Sequence, residues 1–157
     1  MEFPPRRVRD FPRPPAMERS PLPVRIVLGG VTIAETGAAW RILETMHPPT
    51  YYLPAEAFLP GSLTPRPRRS FCEWKGHAVY FTVSAGGRSA VDAAWGYPDP
   101  SPGYAAIRNH IAVYAGAMDA CFVGTEMARP QPGGFYGGWI TDAFLGPFKG
   151  APGTEFW

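Results

Sequence analysis

The chain has 157 residues, 45% of them hydrophobic and 18% charged, with a formal net charge of +2. That is enough apolar material for one packed domain, and too little charge imbalance to imply a disordered chain or an obligatory nucleic-acid partner. The 20 prolines and 18 glycines exclude helical bundles and coiled coils, which need long uninterrupted helical windows.

Residues 1–22 interleave Arg6, Arg7, Arg9, Arg13 and Arg19 with Pro4, Pro5, Pro12, Pro14 and Pro15. Such a stretch reads as a Pro/Arg-rich N-terminal arm, extended or disordered. The domain proper is expected over residues 23–125. Val24, Ile26 and Leu28 lead into Gly29-Gly30 and then Val31-Thr32-Ile33-Ala34. Two β-branched runs around Gly-Gly predict a hairpin, because a tight primed turn needs positive φ at both central residues. Trp40 to Glu44 and Thr50 to Leu53 read as further strands. Between them, His47-Pro48-Pro49 forms a stiff turn, since each proline fixes its own φ and restricts its predecessor. Pro54 to Phe58 predicts one helical turn and residues 60–70 a polar loop. His77 to Val83 alternates, then turns through Ala85-Gly86-Gly87-Arg88 into Ser89 to Trp95, a second hairpin. Pro98, Pro100 and Pro102 end that sheet.

Residues 104–123 carry two periodicities. Ile107, Ile111, Tyr114 and Met118 fit helical spacing, whereas His110 to Tyr114 fits a strand. A short helix from about Tyr104 is expected, and the state of residues 110–118 stays open. Residues 126–157 form a C-terminal extension too rich in Gly and Pro for regular structure, yet holding Phe135, Tyr136, Trp139, Phe144, Phe148, Phe156 and Trp157. So many aromatics predict a tail that packs back on the domain or on a partner and covers a sheet edge. The expected fold is mainly β: one compact domain, a bent antiparallel sheet or partly open barrel, with one short helix and an aromatic C-terminal tail.

Chemistry concentrates in three places. Phe71-Cys72-Glu73-Trp74-Lys75-Gly76-His77 gathers a thiol, a carboxylate, an amine and an imidazole. A strand would put Cys72, Trp74 and Gly76 on one face and Glu73, Lys75 and His77 on the other, unless a turn at Lys75-Gly76 breaks the alternation. Cys72 reads either as a nucleophile with His47 or His77 as its base, or as a small buried hydrophobe. In the His47-Pro48-Pro49-Thr50-Tyr51-Tyr52 run, Tyr51 and Tyr52 point to opposite faces, so at most one lines a given pocket. In Asp92-Ala93-Ala94-Trp95-Gly96-Tyr97-Pro98, a carboxylate sits near a strand end, which favours exposure, pairing or function. Trp95 and Tyr97 read as an aromatic wall for a flat ligand or as corner packing. The catalytic candidates are therefore Cys72, Lys75, His47, His77 and Asp92. The ligand-binding candidates are Tyr51, Tyr52, Trp74, Lys75, Trp95 and Tyr97, with Lys75 or Arg69 meeting an anionic group.

The two cysteines, Cys72 and Cys121, form no Cys-x-x-Cys pair. No disulfide scaffold or metal site is expected, and a cytoplasmic location is. No window holds the roughly 20 apolar residues of a membrane span, and no apolar run follows the basic N-terminus, so no signal peptide is expected. P-loop, dinucleotide-binding, zinc-protease and nucleophile-elbow motifs are all missing. Nothing in the sequence names a cofactor.

The run from Val24 to about Val123 resembles the DUF427 family, bacterial and fungal proteins of unknown function. The matching pieces are VLGGVTIA, LETMHPPTYYLP, CEWKGHAVYFTV and DAAWGYPDP. The tail, with GGFYGGWIT and GPFKGAPGTEFW, is similar to an extension of some members. The resemblance implies a compact, mainly β domain, and the family's nucleotidyltransferase-type label implies a nucleotide-like ligand. The function expected is a small-molecule-binding domain for a nucleotide-like or other flat polar ligand, with enzymatic activity left open. The alternative is a non-enzymatic module that docks a protein partner through residues 1–22 and 130–157. Nucleic acid is not the expected partner.

Overall fold

The computed structural model describes residues 4–157. In chain order the strands are β1 (Arg6–Arg7), β2 (Ala16–Arg19), β3 (Val24–Leu28), β4 (Val31–Thr36), β5 (Trp40–Leu43), β6 (Thr50–Pro54), β7 (Leu63–Cys72) and β8 (Gly76–Ala85). They continue with β9 (Arg88–Gly96), β10 (His110–Val113), β11 (Ala120–Val123), β12 (Glu126–Met127), β13 (Arg129–Pro130), β14 (Trp139–Ile140) and β15 (Phe144–Leu145). A seven-stranded sheet runs β2-β5-β6-β10-β9-β8-β7 and a four-stranded sheet runs β12-β11-β3-β4. Two short ribbons, parallel β1–β15 and antiparallel β13–β14, tie the termini to this frame. The fold is mainly β, with no closed barrel. Among the described residues, no helix is long and apolar enough to cross a membrane.

Both predicted hairpins form. Gly29 and Gly30 have φ of 59° and 74°, and Gly86 and Gly87 have φ of 57° and 77°, the left-handed region that a two-residue primed turn requires. The two turns also touch. A Cβ on Gly29 would strike the backbone of Ala85 and Gly86, and one on Gly86 would strike Gly29. Asp119 fastens this junction, accepting a hydrogen bond from the Gly30 amide at 2.8 Å and pairing with Arg88 at 3.3 Å.

Alternation then sorts the side chains. Val24, Ile26 and Leu28 from β3 meet Tyr51 and Leu53 from β6, Val83 from β8, and Ile111 and Val113 from β10 in the core between the two sheets. Trp139 completes that core; it is fully buried, and its indole N–H donates to the Val113 carbonyl at 3.1 Å. The opposite face of the large sheet carries Ile42, Tyr52, Ala78, Tyr80, Trp95 and Ala112, with Tyr97, Tyr104 and Ile107 packed beside them. No second sheet covers that face.

Two expectations need correction, and the open state of residues 110–118 is resolved. Residues 60–70 are not a loop: most of them belong to β7, the edge strand of the large sheet. An edge tolerates Pro65 and Pro67 because one row of its amides faces solvent, and a register shift between Arg66 and Arg69 absorbs the irregularity. The helical spacing from Ile107 to Met118 is coincidental. A 3-10 segment at Pro102–Ile107 precedes strand β10, a short 3-10 turn at Ala115–Ala117 and strand β11. The strand alternation in Ile111-Ala112-Val113 wins because both faces of the sheet there are buried. Residues 6–19 of the N-terminal arm pair and pack on the domain. β2 adds to the large sheet beside β5, and Val8 and Phe11 are buried against Leu43 and Phe144. The arginines misled the reading, since the buried contacts come from the few apolar residues between them.

Candidate functional site

The aromatic face of the large sheet, opposite the inter-sheet core, floors a cavity of about 330 Å³. Its floor is Tyr52, Tyr80, Trp95 and Tyr97. One wall is the turn Glu73-Trp74-Lys75 between β7 and β8. A second is the Glu44 to Pro48 turn that leaves β5. The third is the C-terminal extension at Gln131 and Phe135 to Gly137. The extension is held there by hydrogen bonds from Tyr114 Oη to the Phe135 carbonyl at 3.0 Å and from the Trp139 amide to the Pro49 carbonyl at 2.7 Å. Gly137 lies directly on the Trp95 ring, where a larger residue would not fit.

Lys75 is the main charge inside. Its side chain reaches into the cavity, yet the residue is only 8% exposed. Among the described residues no carboxylate forms an ion pair with its Nζ. Burial works against the ammonium, but Tyr97, Cys72 and Glu44, with a hydrogen bond to Cys72, outweigh it and hold the pKa above the usual lysine value. The Nζ also lies 5.9 Å from the Tyr97 ring centroid. Desolvation pushes the Tyr52 and Tyr97 hydroxyls well above the ordinary tyrosine range, so both stay neutral hydrogen-bonding groups.

His47 is held in one state. The Gly138 amide donates to Gln131 Oε1 at 3.1 Å, which fixes the orientation of the Gln131 amide. Its Nε2 then donates to the Lys149 carbonyl at 2.7 Å and to His47 Nδ1 at 2.9 Å. His47 Nδ1 is therefore an acceptor, and the ring proton sits on Nε2, facing Glu44 Oε2 at 3.5 Å. Burial lowers the His47 pKa, and Lys149 and Lys75 lower it further against the opposing pull of Glu44 and the Gln131 hydrogen bond. The imidazole is neutral at neutral pH, with its basic nitrogen already engaged. It is thus poorly placed as a base for Cys72, whose close partner is Lys75.

Of the candidate residues, Cys72, Lys75, His47, Tyr52, Trp74, Trp95 and Tyr97 all line this cavity. The turn at Glu73–Lys75 does break the strand alternation, so that Trp74 and Lys75 reach the same space. Tyr51 points the other way, into the inter-sheet core, with its ring 5.0 Å from that of Trp139. His77 is exposed, opposite Phe71 in the β7–β8 ladder, with ring centroids 4.9 Å apart. Asp92 is separate too. It pairs with Arg66 at 3.1 Å and lines a neighbouring cavity of about 340 Å³ behind Tyr114 and Gly137. Arg69 folds back on the carbonyls of Arg66 and Arg68. Cys72 is half-buried in the cavity wall, whereas Cys121 is the buried core thiol.

Sequence reasoning missed Glu44, Tyr80, Tyr114, Gln131 and Phe135 to Gly137. Tyr80 was visible in the β8 alternation on the same face as Ala78. Gln131 had no signal at all, because its partner His47 lies 84 positions away.

A family model described as a domain of unknown function (DUF427) matches residues 16–124. No curated protein matches the chain. The matched span includes β2 and ends before Gln131, so the third wall of the cavity lies outside it.

Proposed function

The chain belongs to the DUF427 family, and from that premise we propose that its aromatic cavity binds a small, flat, polar molecule through an anionic group. The observation that carries this reading is Lys75: a buried ammonium facing a cavity, with no carboxylate paired to it among the described residues. A buried charge without an ionic partner is costly, and an incoming carboxylate or phosphate relieves that cost. Trp74 is a partly exposed ring in the wall above the buried floor of Tyr52, Trp95 and Tyr97, and the volume sits at the small end of the range for ligand pockets, about 300–1,000 Å³. A single ring system with short polar substituents fits that space.

Thermal unfolding against adenosine monophosphate, flavin mononucleotide, benzoate and 4-hydroxybenzoate tests the proposal. A planar anion is expected to raise Tm, by about 2.7 kcal/mol of stabilisation at a hundredfold excess over Kd. The shift should vanish in Lys75→Met. No shift from any planar anion, or an equal shift in Lys75→Met, refutes the reading. The interaction reading retains one supporting observation, the 99% exposed Phe156 at the end of the extension. Its N-terminal half is weakened, because residues 6–19 already pair and pack within the domain.

A further inference from the structure

Resting on that reading of the cavity, we infer that its ligand is a zwitterion: a small molecule carrying an ammonium as well as an acid group on a planar framework, of the kind an aromatic α-amino acid represents. The inference starts from Glu44. Its carboxylate lines the same cavity as the Lys75 ammonium and favours the charged form of that lysine. They nevertheless form no ion pair. The ionisable group paired with Glu44 is His47, at 3.5 Å, and burial, with Lys149 and Lys75, keeps that ring neutral. Among the described residues Glu44 therefore faces a neutral imidazole and pairs with no Lys or Arg. Lys149, the other cation on that side, lies over the Tyr136 ring at 5.3 Å and pairs with no acid among the described residues.

One cavity thus holds a separated positive and negative group over an aromatic floor. A simple anion would answer Lys75 and face Glu44 with like charge. A simple cation would do the reverse. A zwitterion satisfies both ends at once, with its ammonium beside Glu44 and its acid group on Lys75. Trp74, the partly exposed ring in the cavity wall, packs against its planar part, and an electron-rich ring face favours the ammonium as well. Selectivity follows from the same geometry, because each charge in the cavity rejects the half-ligand that leaves it unanswered.

The test uses the full chain and three probes that share one ring: L-tyrosine, 3-(4-hydroxyphenyl)propionate, which lacks the amine, and tyramine, which lacks the acid. Binding is followed by tryptophan emission and by Tm in the wild type, Glu44→Gln and Lys75→Met. In the wild type L-tyrosine should bind at least tenfold more tightly than either half. Glu44→Gln should reverse the order in favour of the propionate, and Lys75→Met in favour of tyramine. If the propionate matches or exceeds L-tyrosine in the wild type, the zwitterion inference fails while the anion-binding cavity stands. If none of the three binds, the inference fails, and the planar-anion screen decides separately whether the cavity reading falls with it.

Discussion

Replacing Gly137 by alanine is the most direct test of how the C-terminal extension builds the cavity. An ideal Cβ at this position lies 2.8 Å from Trp95 Cζ2 and 2.9 Å from Cζ3, and closer still to Cη2. Ordinary carbon contacts are about 3.5–4.0 Å, so something must move by about 1 Å or more. Trp95 gives way poorly. It is paired on both sides within the sheet, to Tyr80 and to Ala112, and its ring packs 4.6 Å from that of Tyr114. The extension must therefore lift off the indole. Overpacking of this kind costs about 1–3 kcal/mol. For a domain of this size, each kcal/mol lowers Tm by about 2–4 °C, so a fall of about 2–12 °C is expected. Trp95 emission should shift as the ring gains water. Gly37→Ala serves as the control, because a Cβ there meets nothing within 4 Å and its φ lies outside the left-handed region. That variant should match the wild type or gain about 0.4–1 kcal/mol. A Gly137→Ala protein with wild-type Tm and emission would refute the placement of the extension on Trp95.

Two other predictions concern titration and reactivity. The folded pKa of His47 lies below its ordinary value of 6.5, chiefly through burial. As pH falls below 6.5 the unfolded chain takes up a proton that the folded chain refuses, so stability present above that pH is lost until the folded pKa is passed. Urea unfolding across that range should show the loss, and His47→Gln should flatten it. Flattening must be absent above pH 7, where both states are neutral, or the assignment is wrong. Cys121 is buried with its thiol pushed up to about 12, whereas Cys72 is half-buried in the cavity wall beside Lys75. A thiol reagent should therefore label one site quickly in the folded protein, and Cys72→Ser should abolish that labelling. Slow labelling of both thiols, at the rate of unfolding, would exclude Cys72 as a working nucleophile.

Much of this protein was written in local pattern. The Gly29-Gly30 and Gly86-Gly87 turns, the strands that flank them and the mainly β class follow from backbone sterics and period-two alternation, which act over a few neighbouring residues. The same alternation separated Tyr51 from Tyr52 and set Tyr80 beside Ala78. Cys72, Lys75, His47, Tyr52, Trp74, Trp95 and Tyr97 were legible as chemistry because polar and aromatic groups gather at turns. Pattern failed where long-range packing decides. Pro65 and Pro67 read as loop residues until β7 proved to be an edge, and residues 110–118 stayed open between helix and strand until two buried faces claimed Ile111-Ala112-Val113 as a strand. His77 and Asp92 carried the right functional groups, but the register of β8 and the Arg66 ion pair point them elsewhere. The tautomer of His47 is beyond any local reading, since it depends on an amide 84 residues away whose own orientation is set by the Gly138 backbone. The two Gly-Gly hairpins, the mainly β class and the inventory of reactive groups were legible along the chain, because they depend on each residue's near neighbours. Only the tertiary structure decided that Glu44 and Lys75 face one cavity unpaired and that residues 131–137 close it, because those facts depend on how distant segments meet across the sheet.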